Sequence, residues 1–212
     1  AVRTYWRALL RDSIDIRVVP NFIEQRFFDT HSMCASSSMD ADRAVLVSVG
    51  ALKPVKAHEV IIDACSILRR RGFPVELVLV GDGQRRVELE KHAETQGVPL
   101  QVTGVVADVL PHLRRSTVYV HAATSEGVSN AVIEAMAAGL PTVVPDIPGM
   151  RELVGDAARL YPSGSADLLA DTLVPLLAGP ETRTTLGQAG ESECSLDDPI
   201  DALFLEIQGS GK

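Results

Sequence analysis

Paired cysteines, long apolar runs and an excess of basic charge are what this 212-residue sequence lacks, and each absence excludes a class of protein. Cys34, Cys65 and Cys194 stand at unrelated spacings. Neither a disulfide framework nor a cysteine-based metal site is built that way, and a reducing compartment is expected. No apolar stretch approaches the roughly 20 residues that cross a bilayer, and the N-terminal residues show no charged segment leading into an apolar one with a cleavage site. A cytoplasmic protein without a transmembrane segment is therefore expected, with peripheral contact at the inner face of the membrane left open. Lys and Arg number 20 against 28 Asp and Glu, a formal net charge of -8. That balance speaks against nucleic acid or anionic lipid as a general partner.

What is present is a globular composition, 46% apolar and 23% charged, arranged in alternating strand-like and helix-like segments. VLVSVG from Val45 and VELVLVG from Val75 are β-branched runs closed by glycine, as expected of strands buried on both faces of a parallel sheet. Between them AHEVIIDACSILRRR repeats at helical spacing, with Val60, Ile61, Ala64 and Leu68 on one face. The alternation continues through QRRVELEKHAETQG (helix), LQVTG (strand), DVLPHLRRS (short helix), VYVHA (strand), a helix ending at Gly139, TVVP (strand), MRELV, ARLYP (strand) and SADLLADTLVPLLAG (helix). PIDALFLEI reads as a last helix before a flexible tail. The pattern predicts an α/β protein with a Rossmann-like open parallel sheet and helices on both faces. Residues 1–43 read as a short helix, an extended segment and a polar, linker-like stretch. The chain begins with Ala1 and not Met, so a longer polypeptide is expected.

In doubly wound sheets ligands bind beyond the carboxyl ends of the strands. The residues so placed are Gly50 to Lys56, Gly81-Asp82-Gly83, Thr103-Gly104 and Ser125 to Asn130. Gly81-Asp82-Gly83 lacks the third glycine of a dinucleotide fingerprint, and no Walker-type glycine-lysine pair follows Gly50, so the two glycines past the second strand read first as strand terminators. The stretch SEGVSNAVIEAMAAG, Ser125 to Gly139, is more specific. Gly127, Ser129 and Asn130 at a helix start would aim backbone N–H groups at the rim, an anion site supported by the helix dipole. Glu134 lies one turn on and leans back toward that end. Either it accepts hydrogen bonds from sugar hydroxyls or it pairs with an arginine, and Glu126 either reaches a further sugar or only favours the helix dipole. His58 reads as a capping or solvated residue, and His121 as a strand-end residue, packed or lining the cleft. Arg69-Arg70-Arg71 suits the negative end of its helix.

EGVSNAVIEAMAAGLPTVV, with seven residues between Glu126 and Glu134, resembles the signature of the retaining GT-B glycosyltransferases of family 4, the group 1 type. VVPNFIEQRFF resembles that family's hinge segment, VSVGALKPVKAHEVIIDA its first C-terminal strand and helix, and LVLVGDG and VTGVV its next strand ends. The ordered set covers nearly the whole chain and thins at both ends. It implies a remnant of an N-terminal domain and a hinge over residues 1–43, a nucleotide-sugar-binding domain over 44–190, and a C-terminal helix and tail over 191–212.

The resemblance also implies roles. Glu134 would hold the ribose hydroxyls of a nucleotide-sugar donor, and Glu126 would contact the transferred sugar. The backbone of Gly127, Val128, Ser129 and Asn130 would bind the diphosphate, which Lys56 would neutralise as the nucleotide departs. Gly50 would line the donor site, and Thr103, Gly104 and Val105 would offer backbone groups to the base. Transfer would retain configuration and need no metal or other cofactor. The acceptor, a glycan, a lipid or a small molecule, would bind an N-terminal domain for which the chain has no room, leaving the isolated chain inactive. Ala51 stands where the family commonly has arginine; Lys53 is the candidate substitute, without arginine's bidentate fork. A nucleotide-sugar 2-epimerase of the same architecture and a non-catalytic nucleotide-sugar-binding module are the alternatives.

Overall fold

The computed structural model describes residues 23–28 and 43–194. The segment PIDALFLEI, the N-terminal helix and extended segment expected before Pro20, and Cys34 lie outside the described residues. The β-branched runs pair as expected. β1 (Ala44–Val49) runs parallel to β2 (Val75–Val80), with Ala44 opposite Val75 and Val49 opposite Val80. β3 (Leu100–Val102), β4 (Val118–Val120), β5 (Thr142–Pro145) and β6 (Arg159–Tyr161) complete one six-stranded sheet in the order β3-β2-β1-β4-β5-β6, every pairing parallel. Parallel neighbours require crossovers, and helices supply them: α1 (His58–Arg70), α2 (Arg86–Gln96), α3 (Leu110–Arg114), α4 (Asn130–Ala137) and α5 (Pro148–Val154), with α6 (Ala166–Ala178) following the last strand.

Because side chains alternate along a strand, each strand feeds two cores. Leu46, Leu77, Leu79, Val118 and Val120 pack with Ile61, Ile62 and Leu68 of α1, Leu89 of α2, and Leu169 and Leu173 of α6. Val47, Val80, Tyr119 and Val144 point the other way, to Leu110 and Leu113 of α3, Val132 and Met136 of α4, and Met150 and Val154 of α5. Phe27, in a 3-10 turn at Gln25–Phe27, is 3% exposed and belongs to this second core, so the short segment around it is seated on the α4 face of the sheet. The arginine run at the end of α1 serves the fold: Arg69 donates to the Val75 carbonyl, Arg70 to the Ser66 hydroxyl and Arg71 to Asp171.

One element was not anticipated. Pro180–Cys194 forms a further helix, α7, which packs on α4 and α6 and continues through residue 190, at which the sequence reading ended its domain. Its polar composition and its glycines argue locally against a helix. Tertiary contact requires one of them: a Cβ on Gly187 would lie 2.2 Å from the Gly139 carbonyl oxygen, so only glycine lets α7 approach the turn after α4.

Candidate active site

The strand order reverses between β1 and β4, so the chain leaves these neighbours toward opposite faces, α1 on one and α4 on the other. A crevice opens at such a point beyond the strand ends. From the β1 side comes a 3-10 turn at Pro54–Lys56, started by proline and closed by Ala57. Ala57 has φ 45° and ψ 42°, the one non-glycine residue with positive φ among the described residues. That left-handed kink costs roughly 1–2 kcal/mol for a residue with a Cβ, and it separates the turn from α1 so that Lys56 stands at the crevice. From the β4 side, Thr124 N–H donates to the Val55 carbonyl at 2.9 Å, tying the two loops together. Lys56 Nζ donates to Glu126 Oε2 in a close ion pair, the two side chains 21% and 18% exposed. Two residues set 70 apart, read from the sequence as serving different parts of a ligand, thus meet in the empty crevice.

Beneath this pair lies a buried layer, of which the sequence pointed to His121 alone. His121, directly after β4, is buried, its Nε2 3.3 Å from Glu126 Oε2 without the alignment of a hydrogen bond. His58, the first residue of α1, is buried too and makes no capping bond, which corrects its reading as a capping or solvated residue. The Tyr119 ring stacks on His121 at 6.5 Å between centroids. Among the described residues, the buried side-chain nitrogen and oxygen atoms without a hydrogen-bond partner are His58 Nδ1, Tyr119 Oη and His121 Nε2, all in this layer. Buried polar atoms are almost always satisfied, so three gathered in one place make this layer a candidate site.

Burial pushes His58 down to about 4, helped by the positive charges of His121, Lys56 and Arg85. Burial likewise pushes His121 down to about 4, with Lys56 lowering it further and Glu126 opposing. Both are neutral at pH 7. Burial raises the Tyr119 phenol, and the negative charges of Glu134 and Glu126 raise it further against the nearby Val49 backbone. Tyr119 therefore senses both glutamates of the motif.

The loop from Gly127 to Ser129 leads into α4, for which Ser129 is the N-cap. The Ser129 hydroxyl makes no capping bond, so it does not occupy the amides of the first turn. Gly127, Val128 and Asn130 are exposed, whereas Ser129 is buried. The loop is held from behind: a Cβ on Gly149 at the start of α5 would lie 2.2 Å from the Glu126 carbonyl oxygen. No signal near the motif pointed to Gly149.

Glu134 is half-buried on α4, and burial raises its carboxyl above the usual range; Arg26 lowers it, while Glu24 and Asp108 raise it. Arg26 is engaged elsewhere, with Asp108 at 2.9 Å and Glu24 at 2.8 Å. Among the described residues no cation lies at ion-pair distance from Glu134. The arginine partner considered as the structural alternative is thus absent there.

On the other side of β1, Gly50 N–H donates to the Val80 carbonyl, and Gly81 pairs with Gly104 in an isolated bridge, so these glycines end strands as expected. They also hold three loops close, since a Cβ on Gly81 would lie 2.1 Å from the Gly50 carbonyl oxygen. The Thr103 hydroxyl donates to the Gly104 carbonyl, and Val105 is 86% exposed beside it. Lys53 and Ala51 are exposed at the foot of the 3-10 turn.

Other proteins resemble this chain in overall sequence. The chain is 28% identical over 138 residues to a "Putative glycosyltransferase EpsF" of Bacillus subtilis (strain 168), covering 62% of this chain and 36% of that protein. It is 30% identical over 179 residues to a "GDP-mannose-dependent alpha-(1-6)-phosphatidylinositol monomannoside mannosyltransferase" of Mycobacterium tuberculosis, covering 78% and 46%. The chain thus spans about half or less of the length of these relatives. The fold matches that of sucrose-phosphate synthase from Thermosynechococcus elongatus, with TM-score 0.78 and 20% identity over 98% of this chain and 55% of that one. It matches Anabaena HepE in complex with UDP and glucose equally well, at TM-score 0.78 and 20% identity over 98% and 61%. A family model described as glycosyl transferases group 1 matches residues 43–179, from the residue before β1 to the residue after α6, and the chain belongs to that family.

Proposed function

We propose that the chain binds a nucleotide-sugar donor in the crevice between β1 and β4, and serves transfer of the sugar to an acceptor with retention of configuration. The observation that carries this reading is the Lys56–Glu126 contact at the switch point of the sheet, above three unsatisfied buried polar groups. Lys56 turns from Glu126 to the diphosphate, where its charge offsets that gained by the departing nucleotide; no metal ion is assigned this task. The amides around the start of α4 add the helix-terminus field to the same phosphates. Glu126, released, faces the sugar carbon at which positive charge grows as its bond to phosphate breaks. Glu134, with no cation at ion-pair distance among the described residues, accepts hydrogen bonds from the ribose, and Thr103 to Val105 border the base.

Calorimetric titration of the chain with UDP and GDP tests the donor site. Lys56→Met should lower affinity for whichever diphosphate binds by tenfold or more, since a charge-assisted phosphate contact is worth about 1.5–3 kcal/mol. Absence of binding, or binding indifferent to Lys56→Met and to Glu134→Gln alike, would overturn the reading. Retention is read from the anomeric configuration of the product formed in a transfer assay.

A further inference from the structure

The donor reading leaves Glu126 with an electrostatic difficulty. In the empty crevice Lys56 neutralises it. Once a diphosphate draws Lys56 away, Glu126 stands beside the negative phosphates with its cation gone and its carboxylate no longer held. Some other group must hold the carboxylate aimed at the sugar without cancelling its charge. His121 is the group so placed.

We propose that His121 is the positioning residue of Glu126, donating Nε2–H to Glu126 Oε2 when the donor occupies the crevice; this rests on the functional reading above. Four observations carry it. His121 Nε2 stands 3.3 Å from Glu126 Oε2, within reach of a small turn of the carboxylate. Hydrogen bonds of this kind are often long or misaligned in empty sites and tighten only in the complex. His121 Nε2 is buried and has no other partner. The residue is also locked in place: its N–H donates to the Val143 carbonyl at 2.9 Å, its carbonyl accepts from the Tyr161 hydroxyl at 3.2 Å, and its ring stacks on Tyr119. Finally, burial, the largest influence on its ring, keeps it uncharged against the opposing pull of Glu126, with His58 buried nearby. An imidazolium would neutralise Glu126 as Lys56 does, whereas a neutral imidazole has one N–H to donate and leaves the carboxylate charge for the reacting sugar.

The test is the tautomer of His121 in the whole chain, read from imidazole nitrogen chemical shifts without ligand, with UDP or GDP, and with UDP-glucose or GDP-mannose. The proposal expects a neutral ring protonated on Nε2, whose Nε2 signal moves more with the nucleotide sugar than with the matching diphosphate. A ring protonated on Nδ1, or an Nε2 signal indifferent to the sugar, overturns it. Calorimetry on His121→Gln and His121→Leu adds a functional measure. His121→Gln keeps an N–H donor and should keep the affinity ratio of nucleotide sugar to diphosphate. His121→Leu should lower that ratio about tenfold, from the usual worth of a hydrogen bond to a charged group, with diphosphate affinity unchanged. Equal loss for both ligands would mean that His121 only supports the fold, and would overturn the proposal. A wild-type chain that binds none of the four ligands would bring down the donor reading and this role with it. Nucleotide binding with an Nδ1-protonated His121 would bring down the role alone.

Discussion

Glu134 shows what a single residue's surroundings reveal. Its helix is apolar on most sides, its carboxyl is raised by burial, and Arg26, the cation that favours its charged form, is held by Glu24 and Asp108. An ionised group kept half-buried with no cation at ion-pair distance among the described residues burdens the empty protein. Glu134→Gln should therefore leave folding stability unchanged or slightly raised in thermal melts. The same change should weaken nucleoside diphosphate binding by about 1.5–3 kcal/mol in calorimetry, the usual worth of hydrogen bonds to a charged group. A large loss of stability with unchanged affinity would mean that the carboxylate serves the fold and not a ligand. Linkage agrees in sign: a carboxyl raised in the folded state favours folding at low pH and loses that contribution as pH rises through its folded value.

At the scale of elements, two glycines set how closely backbones meet. Gly149 brings α5 against the Glu126 carbonyl, and Gly187 brings α7 against the Gly139 carbonyl, each where an added Cβ would come within 2.2 Å. Neither neighbour can yield cheaply, because both are backbone. Gly187→Ala should cost about 1–3 kcal/mol or more in urea melts, the range of overpacking, by prising α7 from α4. Gly149→Ala should cost a similar amount and also displace the loop at Glu126 and Gly127, so affinity for a nucleotide sugar should fall with stability. Gly127→Ala is the control for folding, since nothing lies within 4 Å of a Cβ there and its φ is not positive. If Gly127→Ala proves as damaging to the melts as Gly149→Ala, close approach is not what these positions require.

The whole molecule should respond to acid through its buried histidines. His58 and His121 lie near 4 in the fold, against an ordinary 6.5. Between those values the unfolded chain binds more protons than the folded one, so stability rises with pH there and is lost as pH falls from about 6.5 toward 4. Each pKa unit is worth about 1.4 kcal/mol. His121's charge is one cause of the His58 shift, so the two are not independent, and together they should cost the fold a few kcal/mol by pH 4.5. Melting temperatures from pH 7.5 to 4.5 should drop steeply below pH 6.5, and His58→Gln should flatten the drop. Glu134 acts in the opposite sense but is only half-buried. An equally steep profile in His58→Gln would show that the acid response arises elsewhere. No helix among the described residues is long and apolar enough to cross a membrane.

Sequence by itself determined the sheet, because β-branched runs closed by glycine and helices of 3.6-residue period are local patterns that burial on both faces leaves little freedom to alter. It also determined which loops carry the candidate site, since parallel strands put all their carboxyl ends on one edge, and the glutamate motif marked α4 within that edge. Tertiary structure alone decided the rest. The meeting of Lys56 with Glu126 depends on strand order, which no local pattern encodes: β4 lies beside β1 in space with β2 and β3 between them in the chain. The neutral histidine layer depends on desolvation from elements distant in sequence, so His58 reads as a capping or solvated residue, whereas His121, at a strand end, is legible as packed or lining the cleft but not as neutral. Helix α7 was illegible for the converse reason. Its glycines disfavour a helix locally, and only the backbone they must approach explains why they stand there.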